Sequence, residues 1–126
     1  MTDKELLELA AKAAGYTLKW GETYLIGNEE IDCTDLPFVV SGQPDEADWH
    51  WNPLYDDGDA FQLAVKLGLD INHTWEVVQG DDNYPMASVH VSLNEEMFVY
   101  ELKESDSYAA TRRAIVRAAA AIGVAE

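Results

Sequence analysis

The chain has 126 residues, is 48% hydrophobic, and carries 24 acidic against 8 basic side chains, for a net charge of −16. That length supports one domain over residues 1–126, able to withdraw roughly two-thirds of the unfolded surface from water. The charge disfavours direct binding to nucleic acid or to an anionic membrane, since both repel it. No apolar run approaches the roughly 20 residues of a membrane span, and "MTDKELLELA" opens on charges where a secretory leader has an apolar stretch. Cys33 is the single cysteine, so no internal disulfide forms, which suits a reducing compartment. The expected location is the cytoplasm.

The charge is unevenly spread. Between Trp20 and Leu102 stand 18 acidic residues against Lys66 alone. The two ends together are nearly neutral. An acidic middle of this kind attracts basic protein surfaces, of which those that bind nucleic acid are the commonest.

In chain order, "TDKE" at Thr2 has the form of a capping box, and Leu6, Leu7, Leu9, Ala10, Ala13 and Ala14 recur at helical spacing. The first helix should cover residues 3–14 and end at Gly15. "YTLKW" (16–20) and "TYLIG" (23–27) read as a hairpin turning at Gly21-Glu22. Residues 27–37 read as an acidic loop with a short strand near Ile31, "FVV" (38–40) as a further strand, and 41–48 as a turn-rich loop.

A second helix should begin at Asp56 or Asp57, bury Ala60, Phe61, Leu63, Ala64 and Leu67, and stop at Gly68. Leu69, Ile71, His73 and Trp75 share one parity of the next stretch, which predicts a strand with one covered face. "ASVHVSL" (87–93) alternates, with Val89, Val91 and Leu93 on one face, and "MFVYELK" (97–103) pairs with it across Asn94, Glu95 and Glu96. The last helix should start at "SDS" (105–107), carry Arg112, Arg113 and Arg117 where cations suit the helix dipole, and end at Gly123. The order is α-β-β-(β)-α-β-β-β-α. Strands in series joined by short turns predict an α+β fold with a mostly antiparallel sheet layered against helices.

Three stretches, "TDKELLELAAKAAG", "WNPLYDDGDAFQLAVKLGLDI" and "YAATRRAIVRAAAAIG", resemble the phage ABA sandwich domain, a family of small phage and prophage proteins. The resemblance spans both ends and the middle of the chain. It implies an α/β/α sandwich and a phage or prophage origin, and it implies no reaction and no catalytic residue. Residues 27–48 and 74–101 match no motif of that family.

The residue chemistry points away from catalysis. Asp56, Asp57 and Asp59 lack the spacing of a calcium loop and fit a helix start, with Asp56 as N-cap and Asp59 at N3. Trp51 and Leu54 should pack behind that start, and Trp49, in an acidic context, should be partly exposed. His50, His73 and His90 show no metal spacing. Cys33 stands among acidic neighbours, an unfavourable setting for a nucleophile. No phosphate-binding loop or hydrolase elbow is present. No catalytic, cofactor-binding or metal-binding residue is expected.

What remains is a binding role. The expected partner is a host protein with a basic surface, such as a CRISPR effector, a restriction enzyme or a nucleoid protein, engaged by carboxylates that imitate DNA. The candidate surface is Glu29, Glu30, Asp32 and Asp35, then Asp45, Glu46 and Asp48 with Trp49, then Asp81 and Asp82, then Glu95 and Glu96. Two other expectations stand beside it. One is a small-molecule or signalling-nucleotide binder, whose only cationic pocket would come from Arg112, Arg113 and Arg117. The other is an accessory phage protein with no discrete site.

Overall fold

The computed structural model describes residues 1–79, 85–93, 97–103 and 106–125. Helix α1 covers Asp3–Ala14. The Glu5 N–H donates to the Thr2 hydroxyl at 3.2 Å and the Thr2 N–H to the Glu5 carboxylate at 3.4 Å, which completes the expected capping box. Gly15 closes the helix at φ 79, a conformation that any side chain makes costly.

The first strands pair differently from the expected hairpin. β1 (Leu18–Trp20) pairs with β4 (Pro37–Val39), and β4 with β5 (Trp49–His50), a strand the sequence reading lacked. β2 (Thr23–Ile26) pairs with β3 (Glu29–Asp32), the short strand expected near Ile31. Turn chemistry decides this. Ile26 faces Glu29, so Gly27-Asn28 forms a two-residue loop, with Gly27 at φ 65. Tight hairpin loops need such left-handed residues. Gly21 serves a different purpose. A Cβ there would collide with the Cys33 carbonyl oxygen and lie 3.1 Å from its carbon. The Gly21 N–H donates to Leu36 O at 2.9 Å, and the Cys33 N–H to Glu22 O at 3.3 Å. Residues 18–39 are therefore one bent ribbon. Its inner half holds buried Val39 and partly buried Leu18 and Trp20; its outer half, β2–β3, is exposed at every residue.

Helix α2 spans Asp57–Leu67, with Asp56 as N-cap accepting the Asp59 N–H at 2.8 Å and Gly68 at φ 67 closing it. Ala60, Leu63 and Ala64 are buried as expected, but Phe61 is 67% exposed and is corrected to a surface residue. Trp51 and Leu54 are buried behind the helix start. The larger sheet runs β6 (Asp70–Gln79), β7 (Pro85–Leu93), β8 (Met97–Lys103), all antiparallel. Val89 and Val91 of β7 are fully buried. Helix α3 (Ser107–Ala125) lies against β7 and β8 and also packs on α1 and α2. Asp106 caps it, accepting from the Tyr108 and Ala109 N–H groups at 3.0 Å each.

One expectation about α3 is corrected. It does not end at Gly123 but continues to Ala125, and Gly123 is buried at the crossing with α1, where a Cβ would strike the Leu9 carbonyl. The α+β class and the antiparallel pairing are as the sequence predicts. The turn expected at 94–96 and the position of Ser105 involve residues outside those described.

Candidate functional site

The bent ribbon and the loop that follows it carry the first part of the acidic surface, with Glu29 and Glu30 beside the Gly27-Asn28 turn and Asp45 and Glu46 in the loop beyond β4. Residues 21–48 hold eight carboxylates, including Glu22, and no lysine or arginine. Structure sorts them by partner. Asp35 pairs with Lys4 Nζ at 3.2 Å, while Lys4 also donates to Thr34 O and lies 4.8 Å from the Trp20 ring centroid. Asp32 accepts from the Thr34 N–H (2.9 Å) and hydroxyl (2.6 Å), and these bonds hold its carboxyl below the usual carboxylate range. Asp48 pairs with Lys19 and accepts the Ser41 N–H at 3.0 Å. The Lys19 contact lowers Asp48, and the same contact raises Lys19. Glu29, Glu30, Asp45 and Glu46 are exposed and make no ion pair among the described residues. Asp81, Asp82, Glu95 and Glu96 lie outside the described residues.

Register gives the β2–β3 ribbon two distinct faces. Directly opposed residues share a face. Tyr24–Ile31 and Ile26–Glu29 lie on one side; Thr23–Asp32 and Leu25–Glu30 lie on the other. Tyr24, Leu25, Ile26 and Ile31 are 54%, 77%, 63% and 39% exposed. An isolated two-stranded ribbon is at best marginal in water, so four large apolar side chains on one are out of keeping with mere solubility. Trp49, 43% exposed, leans edge-on against Tyr16 with centroids 6.0 Å apart and pairs with Val39 in the inner half of the ribbon. The sequence places Tyr24, Leu25 and Ile26 in a hairpin strand and Ile31 in a short strand without fixing their burial, and Trp49 is partly exposed as expected. The available signal was the Gly27-Asn28 pair between two β-rich stretches.

A second feature lies at β6. The register sets Ile71 opposite Val91 and His73 opposite Val89, so these residues continue the buried face of β7. The covered face expected of β6 is nevertheless open: Ile71 and His73 are exposed. α3 lies over β7 and β8, and a groove of about 600 Å³ remains between β6, α2 and the start of α3. Exposed Phe61 and Tyr108 flank it, over Ile115 and Ala60.

The three arginines do not converge there. Arg112 lines the groove but is held by Asp57 (2.7 Å) and donates its Nε–H to Leu54 O (2.9 Å). Arg113 pairs with Asp3 at 3.1 Å and with Glu101 at 3.6 Å, and Arg117 pairs with Glu101 at 2.9 Å. Among the described residues no cluster of His, Cys, Asp and Glu is arranged to hold a metal ion, and no helix is long and apolar enough to cross a membrane. The chain matches no protein-family model, no curated protein and no solved structure among those compared.

Proposed function

We propose that this is a non-enzymatic binding protein of the phage ABA sandwich kind, whose acidic end occupies the basic, nucleic-acid-binding surface of a host protein. The observation that supports this reading is the charge of this segment: eight carboxylates and no lysine or arginine in residues 21–48, with Glu29, Glu30, Asp45 and Glu46 exposed and in no ion pair among the described residues. Duplex DNA presents about one charge per 1.7 Å of axis, and exposed carboxylates compete for the same cations. Charge of this density accelerates encounter and makes it salt-sensitive.

The test captures host proteins on the immobilised chain at about 50 mM and about 500 mM salt, then identifies the captured protein and measures its binding to duplex DNA with and without the chain. The expected result is a nucleic-acid-binding protein, lost at high salt and displaced from DNA by the chain. Capture that is unchanged in a Glu29→Gln, Glu30→Gln, Asp45→Asn, Glu46→Gln variant would sink charge-matched binding.

The β6 groove favours a second reading, a small-molecule site, since its volume falls within the roughly 300–1,000 Å³ of ligand pockets. Asp57 already balances Arg112, so an aromatic, uncharged ligand suits it better than a phosphate-bearing nucleotide. A thermal shift on adding nucleotides, abolished by Arg112→Ala, would overturn that preference.

A further inference from the structure

We infer that the outer edge of β3 accepts an extended segment of the partner as a third strand, and that the segment alternates basic and apolar side chains. This rests on the binding role proposed above and specifies its mode. Three observations carry it. First, β2–β3 is a two-stranded sheet whose outer edges have no partner among the described residues. Such an edge presents unsatisfied backbone donors and acceptors and is a template for strand addition. Second, the two faces of β3 differ in chemistry. Glu30 and Asp32 point to one face, with Leu25 opposite Glu30; Ile31 points to the other, where Tyr24 and Ile26 lie beside it and Glu29 stands next to the turn. Third, every one of these residues is exposed.

A strand laid along β3 must alternate in the same way, because neighbouring side chains in a sheet fall on opposite faces. On one face its residues meet Glu30 and Asp32 and should be Lys or Arg. On the other they meet Ile31, extend the apolar strip of Tyr24 and Ile26 that ends at Glu29, and should be Val, Ile or aromatic beside Ile31. Charge excludes a second copy of this chain as the occupant. Pairing β3 with another β3 would set Glu30 and Asp32 among their own equivalents with no cation in residues 21–48, and like charges placed together across a sheet destabilise it.

The experiment uses the full chain and two labelled, end-blocked octapeptides of identical composition, one alternating Lys and Val, the other ordered in Val-Val-Lys-Lys blocks. Binding is followed by fluorescence polarisation, and its place by amide exchange. The alternating peptide should bind at least tenfold more tightly than the block peptide and should slow exchange within β3. Glu30→Lys with Asp32→Asn should weaken it tenfold or more, and Tyr24→Ser with Ile26→Ser should do the same while leaving the circular dichroism of the folded chain unchanged. Equal binding of the two peptides would overturn strand addition yet leave charge-matched binding standing. Binding of neither peptide, with host capture still salt-sensitive, also overturns the strand mode alone. Peptide-free dimerisation that is lost in the Tyr24 and Ile26 variant would assign the edge to a second copy and overturn the proposal.

Discussion

Gly123→Ala offers a sharp test of how α1 and α3 meet. In an ordinary helix interior this change stabilises by about 1 kcal/mol, because alanine loses less backbone freedom on folding. Here an added Cβ would overlap the Leu9 carbonyl oxygen and lie 2.9 Å from its carbon and 3.2 Å from Leu9 Cα. Comfortable contact between carbons needs about 3.5–4.0 Å, so the helices must part by up to roughly 1 Å at this crossing. The opposing atoms are backbone and cannot rotate away. Parting the helices loosens a seam in which Ala10, Ala11, Ala118 and Ala119 are at most 1% exposed. Overpacking of this kind costs about 1–3 kcal/mol, and lost contacts along the alanine seam add to it. The expected net change is about 2 kcal/mol of destabilisation, or a fall in Tm of about 8 °C for a domain of this size. Urea denaturation followed by circular dichroism measures it. Gly58→Ala in α2 is the control: its nearest neighbour is a side-chain atom, the capping Asp56 Oδ1 at 3.1 Å, which has to give by only a few tenths of an ångström and can keep its bond to the Asp59 N–H, so its stability should stay within about 1 kcal/mol of the parent. A Gly123→Ala protein as stable as the parent, or more so, refutes the close crossing.

Burial pushes the Asp59 carboxyl above its ordinary range, against the Asn52 N–H that holds it down and with Asp56 adding repulsion. Folding therefore favours its protonated form, and that contribution is lost as pH rises through the folded-state value. Asp59→Asn keeps an oxygen for the Asn52 N–H, so it should raise Tm at neutral pH and lose that advantage below about pH 4. Arg112→Lys cannot serve both Leu54 O and Asp57 in the same fork geometry and should cost about 1.5–3 kcal/mol by urea titration. Phe61→Ser should change stability by no more than about 0.5 kcal/mol, whereas Leu63→Ala, two residues on and fully buried, should cost about 2–5 kcal/mol.

Local rules made much of this fold legible. The capping box at Thr2, the N-cap at Asp56 and the left-handed glycines at 15 and 68 stand where the sequence puts them, since each depends on residues within one helical turn. What failed depends on residues far apart in the chain. Gly21 and Gly123 carry the same local signal as a turn and a helix stop. Their role comes from Cys33 and Leu9, which no window around them contains. Phe61 keeps helical spacing with the core residues of α2, and Ile71 and His73 keep strand parity with Leu69. Neither periodicity reveals that α3 lies over β7 and β8 and leaves β6 open beside α2. Of the candidate surface, the acidic character of residues 29–48 was readable from composition. Its division into paired and unpaired carboxylates was not, because Lys4 and Lys19 reach it from outside the segment.

The same charges that favour a basic partner act against the fold, and salt separates the two effects. A net charge of −16 on one domain repels itself, and this repulsion weakens as the screening length falls from about 20 Å near 20 mM salt to roughly 4 Å near 500 mM. Screening also weakens the ion pairs of Lys4, Lys19 and Arg113, but these are largely exposed, and such pairs contribute about 0–1 kcal/mol each. Repulsion among the unpaired carboxylates should outweigh them, so added NaCl should raise Tm. The variant with Glu29, Glu30, Asp45 and Glu46 changed to amides should melt higher than the parent at low salt and respond less to added salt. Partner binding should move the opposite way, weakening as salt rises. A Tm that falls with NaCl would mean that the paired carboxylates dominate, and the acidic end would then be a set of structural ion pairs and not a surface held ready for a cationic partner.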